Sequence, residues 1–227
     1  MANRACVSVW TKGFSEENML EQCAKLLEML PFSAVRPGFA ELVIRPVDLG
    51  ETPLIEHDLR GQTLSAAQLM ELAGEYRHAD SGYAIRAHWD LWTLEAGSGR
   101  WQRRPQPLEI LCHGEEYDRG VFAELGHFHA DIGFEHLFTG HAGLLGAHNG
   151  TPASGPGPQH PAEAGFLTRM TRPENLREYH QKTRENIEQL MNWMPAIEEA
   201  LPMEHSRLWS AGEENFEARL DDILAVR

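Results

Sequence analysis

The chain has 227 residues, with 20 Lys and Arg against 34 Asp and Glu, which gives a formal net charge of −14. Nucleic acids and anionic membranes are bound through clustered Lys and Arg, and the densest cluster here, Arg100–Arg104, holds only three, so both partner classes are excluded. Three widely spaced cysteines exclude a disulfide framework or a CxxC metal site. The sequence shows no signal-peptide pattern and no apolar run of about 18 residues. We therefore expect a cytoplasmic protein.

The first third of the chain alternates between strand and helix patterns. Short apolar and β-branched runs predict strands, and apolar residues at helical spacing predict helices. The predicted elements are a strand at 5–10, a helix from Ser15 to Leu30, a strand at 39–47, a short strand at 54–59, and a helix that begins with a capping box between Ser65 and Gln68.

Three further strands follow, at 83–95, 101–112 and 127–133, the first two joined by a turn at 96–99. Side chains alternate between the faces of a strand, so two strands have an apolar face and a polar face. The apolar residues are Tyr83, Ile85, Ala87, Trp89 and Leu91 on one strand and Phe128, Ala130, Ile132 and Phe134 on the other. Pro105 and Pro107 lack an N–H, so the first half of the strand 101–112 is predicted to lie at an edge.

The order β-α-β-β-α-β, with the strands 101–112 and 127–133 appended, predicts an α+β fold of the ferredoxin-like (split βαβ) kind, an antiparallel sheet with helices on one face, formed by residues 1–145. Residues 146–165 are rich in Gly and Pro and predict a flexible loop. Residues 166–227 predict a helical segment with capping boxes at Thr171–Glu174 and Ser210–Glu213. Amphipathic helices cannot bury their apolar stripes alone, so this segment must pack against the sheet domain.

His127, His129 and Asp131 share the polar face of one strand, where imidazole and carboxylate groups suit Zn or Mn. The string His-x-His-x-Asp resembles the start of the metallo-β-lactamase-type hydrolase motif, except that Ile132 stands where a further His is needed. It also resembles the first cupin motif, except that Glu135 falls one or two positions late. The simpler interpretation is a solvated polar face without a metal, which is normal for antiparallel sheets.

A second set, Arg86, His88, Asp90 and Trp92 with Trp101 across the hairpin, has the composition of a ligand or partner face. The alternative is that the C-terminal helices cover Trp92. No nucleophile elbow or P-loop occurs in the sequence.

The favoured hypothesis is therefore a non-catalytic binding module for another protein, for example a basic one, with no cofactor. Small acidic α+β proteins that neutralise a basic partner, such as toxin immunity proteins, share this general profile, and an adaptor would share it too. The alternative hypothesis is a metal-dependent enzyme that uses the His127, His129 and Asp131 face.

Overall fold

The computed structural model describes residues 3–95, 98–141, 144–145 and 161–226. In this part of the chain there are seven strands, seven α-helices and a short 3₁₀ helix at Tyr117–Arg119. The strands are β1 Arg4–Thr11, β2 Phe39–Pro46, β3 Ile55–Asp58, β4 Ser81–Leu94, β5 Trp101–His113, β6 Phe128–Phe134 and β7 Met203–Ser210. The helices are α1 Met19–Glu28, α2 Ala66–Gly74, α3 Phe122–Leu125, α4 His136–Thr139, α5 Pro161–Met170, α6 Pro173–Ala200 and α7 Phe216–Ala225.

The strands form one sheet in the order β3-β2-β4-β5-β6-β1-β7, and every neighbouring pair is antiparallel. The α+β class is thus confirmed, but the ferredoxin-like topology is not. Strand β1 lies between β6 and β7, so it does not pair with any strand of the predicted β-α-β-β-α-β unit. Strand order along the chain could not reveal this, because both partners of β1 come from later segments.

The predicted apolar face of the sheet is confirmed. Trp89, Ile85 and Ile132 are fully buried, and Phe128 is 1% exposed, whereas Phe134 at the end of β6 is 37% exposed. Buried side chains of α1, α2, α4, α5, α6 and α7 belong to the same hydrophobic cluster as this face. The core therefore lies between the sheet and these six helices.

The C-terminal segment is not purely helical, because β7 at Met203–Ser210 pairs with β1 and adds an edge to the sheet. Only the last residue of β7 is buried. Its sequence therefore lacks the regular apolar alternation by which a half-buried strand is predicted. Helix α5 begins at Pro161, so the last five residues of the predicted loop 146–165 are helical. The predicted flexibility of residues 146–160 lies outside the described residues.

Helix starts were predicted with mixed success. The Ser65–Gln68 capping box is present with both of its hydrogen bonds. Helix α1, in contrast, begins at Met19 rather than at Ser15, and α7 is capped by Asn215 rather than by Ser210. Helix α6 begins at Pro173 without the side-chain cap predicted at Thr171, and it continues through Pro195 to Ala200.

The β4–β5 hairpin extends beyond its neighbours. Strand β2 pairs with β4 only as far as Ala87, and β6 pairs with β5 only from Glu109 to Cys112. Pro105 and Pro107 lie on the stretch of β5 that has only β4 beside it, as their missing N–H groups require. The far end of the hairpin therefore has unpaired edges that other elements must cover.

Within the described ranges, none of the helices combines the length and the apolarity that crossing a bilayer would require.

Replacing Ile132 by Ala should lower the free energy of unfolding by about 2–5 kcal/mol, the usual loss for a buried aliphatic side chain. Urea denaturation measures this value. Val35, which is 72% exposed, provides the control, and Val35→Ala should change stability by less than about 0.5 kcal/mol. An equally small loss for Ile132→Ala would contradict the assignment of the core face.

Candidate functional site

His127 is held as part of the structural core. Its imidazole stacks between the rings of Phe14 and Phe122, at centroid distances of 4.2 and 4.8 Å. Its Nδ1 accepts a hydrogen bond of 3.0 Å from the backbone N–H of Thr11. These contacts leave only 7% of the residue exposed. Burial lowers the pKa of His127 from 6.5 to about 4, so its ring is neutral at pH 7.

His129 and Asp131 have other partners. Nδ1 of His129 lies 3.4 Å from the buried hydroxyl of Ser8, which also accepts a hydrogen bond from the indole N–H of Trp209. The carboxylate of Asp131 accepts hydrogen bonds of 2.9 and 2.8 Å from Nε of Arg4, whose Nη2 lies 2.7 Å from the same carboxylate. Each of the two residues therefore has its own local partner.

The expectation of a solvated His/Asp face is wrong for the two histidines. His129 is 8% exposed, because Trp209 of β7 packs near it, and His127 is covered by Phe122 of α3. Neither covering element was predicted from the sequence. Across the described ranges, no group of three or more His, Cys, Asp or Glu side chains is arranged to hold a metal ion. The geometry thus provides no ligand set for the predicted Zn or Mn site.

The predicted partner face is divided by the structure. Arg86 forms ion pairs with Glu41 and Glu109. His88 has Nη1 of Arg36 within 3.4 Å of its Nε2. These side chains satisfy each other across the sheet surface, away from the two tryptophans.

Asp90 holds a neighbouring segment of chain in place. Its carboxylate accepts hydrogen bonds from the hydroxyl of Ser33 and the N–H of Ala34, at 2.6 and 2.9 Å. The N–H of Ser33 also donates to the carbonyl of His88. Segment 33–34 thus lies along the edge of β4 beyond the end of β2. Asp90 has a structural role, because it holds this segment in place.

Trp92 and Trp101 line one concave site, which we call the aromatic cleft. It has a volume of about 710 Å³ and lies among the end of the β4–β5 hairpin, α4, α5 and α6. Five aromatic side chains line it, namely Trp92, Trp101, Phe134, Phe166 and Tyr179. The ring of Tyr179 lies 5.4 Å from that of Trp101 and 5.5 Å from that of Phe166. The structure therefore brings two of the five predicted partner-face residues together.

Asn186 of α6 fixes one wall of the aromatic cleft. Its Oδ1 accepts a hydrogen bond of 2.8 Å from the N–H of Trp92, and its Nδ2 donates to the carbonyls of Trp92 and Leu137. The side chain thus takes the place that a neighbouring strand would have beside β4. Lys182, one turn earlier, places its ammonium 3.8 Å from the ring centroid of Trp92. The helix therefore covers part of Trp92, as the alternative interpretation expected.

The polar groups of the aromatic cleft come from the hairpin, from α4 and the segment after it, and from α5 and α6. Nε2 of His141 lies 3.7 Å from a carboxylate oxygen of Glu163, and the N–H of His141 donates to the hydroxyl of Tyr179 at 2.8 Å. Burial raises the pKa of Tyr179 to about 12, so its hydroxyl stays protonated. Burial and the nearby His141 lower the pKa of His136, whose imidazole is therefore neutral at pH 7. Among the described residues that line the cleft, none is a serine or a cysteine.

Sequence reasoning missed most of these residues. Tyr179, His136 and His141 were not among the residues predicted for a ligand, partner or metal site. The sequence feature that could have pointed to this site is the high density of aromatic and histidine residues between Phe134 and His141. It could not show that α5 and α6 provide the remaining lining residues.

Comparison of the chain with protein-family models, with curated proteins and with solved structures finds no match. Function is therefore inferred from the geometry of this chain alone.

Replacing Asn186 by Ala should lower the free energy of unfolding by about 2–4 kcal/mol, since three hydrogen bonds are lost at roughly 0.5–1.5 kcal/mol each. Urea denaturation tests this. Asn192, which is exposed on the same helix, serves as the control, and Asn192→Ala should be nearly neutral. Equal effects of the two changes would show that α6 is not anchored through Asn186.

Stability should fall as the pH is lowered from about 6.5 to 4. Burial lowers the pKa of His127 and of His129 from 6.5 to about 4, so in this window the unfolded chain binds protons that the folded chain does not. Their contribution is complete above pH 6.5 and is lost progressively below it. The free energy of unfolding is measured by urea denaturation at a series of pH values. It should fall less steeply with decreasing pH for His127→Phe than for the natural chain. His57 is exposed, and His57→Gln should leave the slope unchanged. A stability that does not vary over this range would contradict the burial of both histidines.

Proposed function

We propose that this chain is a non-catalytic binding protein whose ligand occupies the aromatic cleft. The observation that carries the proposal is the concave site itself, about 710 Å³ in volume and lined by five aromatic side chains. Small-molecule sites have volumes of roughly 300–1,000 Å³, and most of their lining is apolar or aromatic with a few polar groups. The aromatic cleft has both properties.

The rigidity of the aromatic cleft supports binding. Asn186 fixes Trp92 through the backbone, and Tyr179 is fixed by the N–H of His141. A site whose side chains are already held in place loses less conformational entropy when a ligand binds. The cleft is therefore suited to hold a flat apolar group between preorganised rings.

The metal-dependent enzyme is less well supported by the geometry. His127, His129 and Asp131 each have a separate partner, and the described residues offer no set of three ligands. Within the described lining of the aromatic cleft, Glu163 is the single acidic residue beside the imidazoles of His136 and His141. The hydroxyl of Ser8 lies 3.4 Å from Nδ1 of His129, but it is fully buried and already accepts a hydrogen bond from Trp209, so a substrate cannot reach it for covalent chemistry.

A second candidate is binding of a protein partner through the loop 47–54. Three of the six large hydrophobic side chains that are exposed in the described chain lie here, namely Val47, Leu49 and Leu54. Val47 has a φ of +61°, which is strained for a β-branched residue, and such strain occurs at functional sites.

The surroundings of this loop are acidic. The backbone of Val47 is hydrogen-bonded to the carbonyl of Asp80 and to the N–H of Asp118, and Asp48 follows it in the chain. An apolar patch with an acidic border fits a partner with basic residues around an apolar centre. Replacing Leu49 and Leu54 together by Ser should abolish capture of such a partner, and Trp101→Ala should not.

The binding competence of the aromatic cleft can be tested with N-phenyl-1-naphthylamine, a neutral aromatic dye whose fluorescence rises in apolar sites. The natural chain should bind it, and Trp101→Ala should weaken the binding about tenfold, because a large aromatic contact is removed. Trp209→Ala is the matched control, since Trp209 lies on β7 at an edge of the sheet and does not line the cleft. No binding by the folded natural chain, or an equal loss in both variants, would contradict the proposal.

A further inference from the structure

Arg169 of α5 extends from the helical wall of the aromatic cleft to the β4–β5 hairpin. It is among the lining residues, and its guanidinium lies against Gly99 at the tip of the β4–β5 hairpin. Gly99 has a φ of +65°, and a side chain at this position would overlap the guanidinium. The cation is thus placed where the helix wall and the hairpin wall meet.

The guanidinium of Arg169 is left without an acceptor among the residues that the structure describes. Its backbone carbonyl accepts a hydrogen bond from Asn175, but no described side chain or carbonyl accepts one from its Nε, Nη1 or Nη2. A half-buried guanidinium has five N–H donors, and an unused one beside apolar walls is expected to bind an acceptor from a ligand.

The other charged groups at the aromatic cleft already have partners. Glu163 faces Nε2 of His141, and the ammonium of Lys182 pairs with Glu185 at 2.9 Å while it lies over Trp92. The lowered pKa of His136 leaves that imidazole neutral at pH 7. Among the described residues that line the cleft, Arg169 is therefore the cation available to a ligand.

We propose that the ligand of the aromatic cleft is an anion with a flat apolar or aromatic body, such as an aromatic carboxylate, whose acidic group is held by Arg169. This inference rests on the proposed function, because it names the ligand class for the same site. The five aromatic side chains provide the surface for the apolar body. A planar guanidinium matches a carboxylate or sulfonate with two parallel hydrogen bonds, and the hydrogen bonds are strong because both groups are charged.

Recognition of an anion depends on the charge inside the cleft, because the whole chain carries a formal charge of −14. The long-range field of an acidic protein does not attract an anion, so specificity for one has to arise inside the cleft. An anionic ligand also explains why a guanidinium lies among aromatic rings in a chain with an excess of carboxylates.

The test uses two dyes that share one aromatic skeleton, the anion 8-anilinonaphthalene-1-sulfonate and the neutral N-phenyl-1-naphthylamine. Their Kd values are measured by fluorescence titration for the natural chain, Arg169→Gln and Arg169→Lys. Arg172→Gln is the matched control, because Arg172 is exposed, lies three residues away and does not line the cleft. Near-ultraviolet circular dichroism of every variant checks that the fold is retained.

Arg169→Gln should raise the Kd of the sulfonate dye by about tenfold, the scale of one charged hydrogen-bonded contact, and should leave the Kd of the neutral dye within about twofold. Arg169→Lys should retain part of the affinity for the sulfonate, and Arg172→Gln should change neither Kd. If Arg169→Gln leaves both Kd values unchanged, or raises both equally, the anion inference is overturned, while binding in the cleft still stands. If neither dye binds the folded natural chain, both the inference and the proposed function are overturned.

Discussion

The unpaired edge of β4 beyond Ala87 is the constraint on which the rest of this structure depends. Backbone N–H and C=O groups that are removed from water need partners, and β2 supplies none past that residue. Ser33 bonds the carbonyl of His88, and Asn186 bonds both backbone groups of Trp92. A loop and a helix thus replace a missing strand.

The position of α6 follows from this constraint, and the aromatic cleft follows from the position of α6. A helix anchored at Asn186 places Thr183 and Tyr179 beside the end of the hairpin, so that Tyr179 meets Trp101. The N–H of His141 then bonds the hydroxyl of Tyr179, which ties the segment after α4 to the same wall. Since β4 and β5 extend beyond the sheet here, the space between these walls remains a concave cleft.

The sequence predicts the core face of the sheet well, because the alternation of side chains is a local property. An error of one residue in the predicted alternation would have placed Trp89 and Ile132 on the opposite face of the sheet. Both are fully buried on the predicted face. The Ser65–Gln68 capping box and the edge position of Pro105 were predictable for the same reason, since each depends on a few neighbouring residues.

The sequence could not predict which residues cover each surface. His129 on β6 and His127 just before it were expected to be solvated, but their burial depends on Trp209 of β7 and Phe122 of α3. The same limit applies to the aromatic cleft. Trp92 and Trp101 were recognised from the hairpin alone, whereas Tyr179 and Arg169 join them only through the packing of α5 and α6.

The central claim is that ligands bind in the aromatic cleft, and indole N–H signals in ¹H–¹⁵N nuclear magnetic resonance spectra test it most directly. The chain has six tryptophans, so each signal can be assigned by single substitution. On titration with 8-anilinonaphthalene-1-sulfonate, the signals of Trp92 and Trp101 should shift and saturate together, while those of Trp10 and Trp209 on β1 and β7 stay in place. Shifts confined to Trp10 and Trp209, or no shift of Trp92 and Trp101 at saturation, would contradict the account.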